Sequence, residues 1–191
     1  MTSTSTPTVL IVPGLRDHVE DHWQTLLERR LPNARSVPPL ERDKLNCAAR
    51  VAALDAELAR IDGPVVLVAH SAGVMITVHW ARFHQREIRG ALLATPPDFD
   101  APMPEGYPTP DILHEHGWMP VPRTRLPFQS IVAASTNDPL ARIESVAKLA
   151  HAWGSRFVNV GAVGHLNPAS GHGEWPLAEE LVAELSLECR I

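Results

Sequence analysis

The stretch GPVVLVAHSAGV, Gly63 to Val74, decides how the chain is read. Val65 to Ala69 form an unbroken apolar run, whereas a strand with one wet face would alternate apolar and polar residues. Both faces of such a strand are covered, which is the habit of parallel sheets packed between helices. The run nevertheless ends in His70-Ser71, boxed between Ala69, Ala72 and Gly73. A buried strand gains nothing from a hydroxyl at its tip. AHSAG, Ala69 to Gly73, is a variant of the G-x-S-x-G nucleophile elbow with alanine in the first position. In that turn a strand reverses sharply into a helix, the serine takes a strained backbone conformation, and only small neighbours let the chain close around it. A serine at a helix start is also a common N-cap, so the motif by itself leaves a structural reading open.

Similar apolar runs lie on either side. TVLIVPG (Thr8 to Gly14), GALLATP (Gly90 to Pro96), QSIVAAS (Gln129 to Ser135) and RFVNVGA (Arg156 to Ala162) read as strands, with a weaker one at Ala34 to Pro38. Helical spacing separates them. Val51, Leu54, Leu58 and Ile61 recur at intervals of three and four between Asn46 and Ile61, and Asp62-Gly63-Pro64 supplies the stop. A second helix starts after Ser71 and runs to about His84. A third carries Ile143, Val146, Leu149 and Ala150 on one side and ends at Gly154, and a fourth begins near Pro176. Strands alternating with helices demand right-handed crossovers. The expected fold is therefore α/β: a mostly parallel, doubly wound sheet of about six strands with helices on both faces and no large cap domain.

At 191 residues the chain suits one domain, 1–191, and is short for two. With 45% apolar and 20% charged residues it is globular, and no apolar run is long enough to span a bilayer, so no membrane partner is expected. The opening MTSTSTPT has neither the basic start nor the apolar block of a signal peptide. Residues 1–7 read as a frayed end, and a cytoplasmic location is the expectation. A formal net charge of -5 argues against a nucleic-acid partner, since phosphate binding rests on clustered Lys and Arg. Cys47 and Cys189 lack metal-ligand spacing and read as reduced thiols.

In an open parallel sheet ligands bind beyond the carboxyl ends of the strands, so chemistry is sought at the strand tips. A serine nucleophile needs an acid and a histidine, which follow it along the chain in that order in this fold. ASTNDPLA puts Asp138 just past the fifth strand, and GAVGHLNP puts His165 just past the last. In these roles His165 takes the Ser71 proton and returns it to the leaving group, while Asp138 orients the ring and stabilises the imidazolium. Asp138 also fits an ordinary Asn-Asp-Pro turn. Asp98 in TPPDFD, past the fourth strand, is the alternative acid; the expected strand order favours Asp138. Oxyanion-hole donors are expected from the backbone N–H groups of Ala72, which follows the nucleophile, and Leu15, in the loop turned by Pro13-Gly14.

His18 and His22 are four apart but lack the H-E-x-x-H order, so no metal is expected, and no glycine-rich phosphate or dinucleotide motif implies a cofactor. Near the oxyanion loop, His22 and Trp23 are candidate substrate-binding residues, as is His70 beside the nucleophile. The tryptophans, Trp23, Trp80, Trp153 and Trp175 among them, read otherwise as core or loop anchors. Nine of the 18 prolines fall between Pro96 and Pro127. That segment reads as a substrate-side loop over the strand tips, or as one packed idly on the surface. Arg123 and Arg125 within it read as solvated cations, with attraction of an anionic substrate as the other reading.

Together with their spacing, AHSAG, DHW (Asp21 to Trp23), TPPD (Thr95 to Asp98), STNDP (Ser135 to Pro139), AWGS (Ala152 to Ser155) and GHLNPASGHGEWP (Gly164 to Pro176) resemble the small serine hydrolases of the YdeN and retinoblastoma-binding-protein-9 family. The likeness covers nearly the whole chain and is closer to the bacterial branch; the vertebrate branch shares little beyond triad and scaffold. It implies a compact α/β-hydrolase whose triad maps onto Ser71, Asp138 and His165. Ala69 departs from the general elbow pattern at a position where a small side chain is tolerated. The expected activity is cleavage of a small ester or amide through an acyl-enzyme. The alternatives are a non-catalytic binding or scaffolding protein on the same fold, and acyl transfer to an acceptor other than water. Substrate choice and oligomeric state rest on pocket volume and surface shape, which belong to the folded chain.

Overall fold

Six strands, β1 (Thr8–Val12), β2 (Ala34–Ser36), β3 (Val65–His70), β4 (Gly90–Ala94), β5 (Ser130–Ala134) and β6 (Arg156–Asn159), make one sheet in the order β2-β1-β3-β4-β5-β6. Every neighbouring pair is parallel. The structure is a computed structural model and describes residues 6–83 and 85–187. Residues 1–5 of the expected frayed end, the helix boundary expected at His84, and Cys189 lie outside the described residues.

The unbroken apolar run has the environment it requires, since all six residues of β3 are buried at the centre of the sheet. Alternate side chains leave opposite faces. Leu10, Leu67, Leu93 and Val132 pack against α2 (Cys47–Leu58), α3 (Ala72–Phe83) and α5 (Ile143–Trp153) through Leu54, Leu58, Met75, Val78, Val146 and Leu149. On the other face, Val9, Val66, Val68, Leu92 and Ile131 meet Trp23 and Leu27 of α1 (Trp23–Arg30) and Leu181 and Leu185 of α6 (Pro176–Ser186). Each fully buried Val or Leu contributes about 1.5–3 kcal/mol, so the central strands carry much of the stability. The polar sequences ARS of β2 and RFVN of β6 occupy the two edges, where water replaces one neighbour.

Two elements differ from expectation. Helix α1 is not among the expected helices: its eight residues, WQTLLERR, hold only one apolar set at helical spacing, Trp23, Leu26 and Leu27, and its N-cap is His22 rather than Ser, Thr, Asp or Asn. The segment 96–127 is not a uniform loop. It contains α4 (Pro110–Glu115), capped by the Thr109 side chain with Pro110 in the first turn, and it buries Leu113, Trp118, Val121 and Leu126 in the core. No separate cap domain is present among the described residues, and none of their helices is long and apolar enough to cross a membrane.

Candidate active site

Ser71 joins β3 to α3 with a φ of 56°, in the left-handed region that a side chain adopts only under strain. The turn is possible because of its neighbours. A Cβ on Gly73 would fall 2.1 Å from the Val12 carbonyl oxygen, so β1 passes the first turn of α3 only where a side chain is missing. Ala72 opens α3 and is 2% exposed, and the first N–H groups of a helix have no partner within it.

The Ser71 hydroxyl lies 2.8 Å from His165 Nε2, and His165 Nδ1 lies 2.8 Å from Asp138 Oδ2 and 3.0 Å from Oδ1. A carboxylate only accepts, so Nδ1 carries the ring proton and Nε2 accepts from Ser71. The side chains of His165 and Asp138 are 4% and 2% exposed, which removes competing water from their hydrogen bond. Asp98 stands apart from this chain. Its Oδ1 accepts the Asp100 N–H at 3.1 Å, and among the described residues it makes no hydrogen bond to His165.

The two loops that carry Asp138 and His165 are tied together by groups whose roles are not legible as motifs. Asn137 Oδ1 accepts the Gly164 N–H at 2.7 Å, and Ser135 Oγ accepts the Val163 N–H at 3.2 Å. Ser170 Oγ accepts the His165 N–H at 2.9 Å and donates to Asn167 Oδ1 at 2.8 Å. The loop after β1 has its own support: buried Arg50 of α2 pairs with Asp17 at 2.8 Å and donates to the Leu15 carbonyl at 3.3 Å. A Cβ on Gly14 would come within 3.7 Å of Ser71 Oγ, so this loop runs directly past the hydroxyl.

The rings of His22, His70 and His165 follow one another in tilted contact, with centroids 4.6 and 4.9 Å apart and interplanar angles of 58° and 51°. Burial pushes the His22 pKa down to about 4, with the His165 charge acting in the same direction. His70 is held well below the usual histidine range, by burial first and then by His165 and His22. Both rings are therefore neutral near pH 7. Trp23 does not fit its expected place in the substrate pocket. It is 1% exposed, facing the core between His70 and Trp175, because α1 turns its first residue inward against the sheet.

The sequence pattern of a family described as serine hydrolase matches residues 9–184, almost the whole chain. The chain belongs to the serine hydrolase family. No curated protein matches it. Among solved structures, this serine hydrolase is similar to a YdeN-like hydrolase of Pectobacterium atrosepticum, with 29% identity and a TM-score of 0.79 over 95% of this chain and 91% of that one. The ydeN gene product of B. subtilis superposes with a TM-score of 0.72 at 19% identity, covering 94% of this chain and 98% of the other. Est1E of Butyrivibrio proteoclasticus, solved with ferulic acid bound, shares the fold at a TM-score of 0.69 and 10% identity, over 96% and 91% of the two chains. The resemblance read from the sequence motifs is thus upheld on its YdeN side, and the protein is a hydrolytic enzyme.

A cavity of about 360 Å³ opens over Ser71 in this serine hydrolase. His22, His70, Ala72, Leu15 and His165 line it, as does the first half of the Pro-rich segment through Phe99, Met103 and Tyr107. The Arg16 guanidinium sits over the Tyr107 ring at 5.9 Å and links that segment to the loop after β1. Arg123 is not aimed at the cavity; it pairs with Asp100.

Proposed function

We propose that the protein hydrolyses a small carboxylic ester or amide through an acyl-enzyme, with Ser71 as nucleophile, His165 as general base and acid, and Asp138 as the acid that orients it. The observation that carries this reading is the unbroken hydrogen-bond chain from Ser71 Oγ through the His165 ring to the Asp138 carboxylate, at the floor of a cavity. In the first step the Ser71 proton passes to His165 Nε2 as Oγ bonds the substrate carbonyl carbon. The resulting oxyanion takes hydrogen bonds from the Leu15 and Ala72 N–H groups. The tetrahedral species then collapses, and the leaving alcohol or amine takes the proton from His165. Water repeats the sequence on the acyl-enzyme and frees the acid.

The cavity volume lies near the lower end of the ~300–1,000 Å³ common for small-molecule sites, and its Leu15, Phe99, Met103 and Leu140 side chains favour an apolar acyl group of modest size. Hydrolysis of p-nitrophenyl esters from acetate to octanoate by wild type and Ser71→Ala tests the reading. Turnover by wild type with loss to background in Ser71→Ala is expected, together with fluorophosphonate labelling confined to Ser71. Equal rates for the two proteins on every ester, with no labelling, would overturn it.

A further inference from the structure

His70 precedes the nucleophile in the chain, yet its side chain reaches across to the other half of the site. Its Nε2 lies 2.8 Å from the main-chain carbonyl oxygen of His165, and the residue is 5% exposed. A carbonyl can only accept, so His70 Nε2 carries the ring proton and its tautomer is set. Thr95, at the tip of β4, brings its hydroxyl to 3.5 Å from the same carbonyl. On the opposite side of residue 165, the N–H donates to Ser170 Oγ at 2.9 Å. The backbone of His165 is therefore gripped from both sides, and the shorter grip on its carbonyl comes from the residue bonded directly to Ser71.

Resting on the reading of Ser71 and His165 as nucleophile and base, we infer that His70 is a positioning residue that sets the Ser71 to His165 distance by hydrogen-bonding the His165 carbonyl. The elbow places Ser71 through the backbone of residue 70, and the imidazole of the same residue places the loop that carries the base. A shift of the His165 loop is thereby coupled to a shift of the elbow, and the 2.8 Å contact between hydroxyl and ring is preserved. His165 is joined to the sheet by a loop, with Gly164 at a φ of 59° before it and Leu166 at 49° after it, so its position needs an external fixture. Asp138 orients the far edge of the ring, and Asn137 and Ser135 tie the backbone of residues 163 and 164. His70 and Ser170 hold the backbone of residue 165 itself.

Two substitutions separate the hydrogen bond from the packing. His70→Phe keeps an aromatic ring against His22 and Trp23 and loses the donor. His70→Gln keeps an N–H near the same place. In His70→Phe, kcat on the preferred p-nitrophenyl ester is expected to fall about 10- to 100-fold per folded molecule with KM changed less than about threefold, as for a displaced base. His70→Gln is expected to recover most of the loss. If His70→Phe keeps full kcat, or if His70→Gln is as impaired as His70→Phe, the hydrogen bond does not set the geometry. Ser71→Ala in the same assay separates the two inferences: residual wild-type turnover there sinks both, whereas a dead Ser71→Ala beside a fully active His70→Phe sinks only this one. Should either variant not fold, ¹⁵N spectra of the wild-type imidazoles decide. A protonated Nε2 on His70, protected from exchange, is required, and a protonated Nδ1 refutes the inference.

Discussion

Asp138 meets His165 with both carboxylate oxygens, at 2.8 and 3.0 Å from Nδ1, and holds this pose because its Oδ1 also accepts the Leu140 N–H at 2.8 Å. Removing the charge while keeping the shape is the direct probe. Asp138→Asn should lower kcat by about 10³- to 10⁴-fold, because the amide imposes the wrong tautomer on the ring. Asp98→Asn should leave kcat within about twofold, since that carboxylate is occupied with Asp100. Ester hydrolysis by the two variants, side by side, checks the pair.

Gly73→Ala tests the passage of β1 beneath the elbow. A methyl group there would overlap the Val12 carbonyl at 2.1 Å, backbone that cannot rotate away. Overpacking of this kind costs about 1–3 kcal/mol or more. Urea unfolding should show the midpoint lowered, with activity reduced in the fraction that remains folded.

Acid should destabilise the protein through its buried histidines. A histidine whose pKa is lowered on folding takes its proton more readily in the unfolded chain, so the contribution is intact above pH 6.5 and shrinks as pH falls. For His22 the loss accumulates at about 1.4 kcal/mol per pH unit from 6.5 down to about 4 and then levels off. His70 adds to the slope with the same sign. His22→Asn retains an acceptor for the Gln24 N–H at the start of α1 and removes the titration. Its unfolding free energy should gain on that of wild type as pH drops from 7 to 5; parallel profiles would count against the assignment.

The apolar wall should set acyl-chain length. Met103 lines the cavity and is only partly buried, whereas Phe99 is buried edge-on against Trp118 at 5.8 Å. Met103→Ala should therefore widen the cavity at the edge of the core, moving the ester optimum toward longer chains by about two to three methylenes, each worth ~0.8 kcal/mol when buried. The ester series read on kcat/KM checks this.

The central strands were legible because burial on both faces leaves a plain mark: VVLVA and GALLA contain no polar residue. That Ser71, Asp138 and His165 meet was legible because the three fall in chain order at strand tips. Helix α1 was not, since Gln24 and Thr25 are buried polar residues that satisfy themselves on carbonyls: Gln24 Nε2 donates to Val68 at 2.9 Å, and Thr25 Oγ1 to Val19 at 2.7 Å. Their burial depends on partners far along the chain or on loop shape, which hydropathy does not record. The same holds for Asn137, Ser170 and Arg50. Each has the composition of an ordinary turn or helix surface, and its role exists only once residues such as Gly164, His165 and Asp17 arrive beside it.

The strand order has a consequence for how activity is acquired. No two neighbouring strands of the sheet are joined by a hairpin, because parallel neighbours are always separated by a crossover. Ser71 and His165 are 94 residues apart in the chain, and β3, β4, β5 and β6 must all be paired before their side chains touch. Long-range pairing of this kind is slow relative to helix formation. During refolding from urea, far-ultraviolet ellipticity should recover first and esterase activity last, so turnover serves as a clock for the final closure of the sheet.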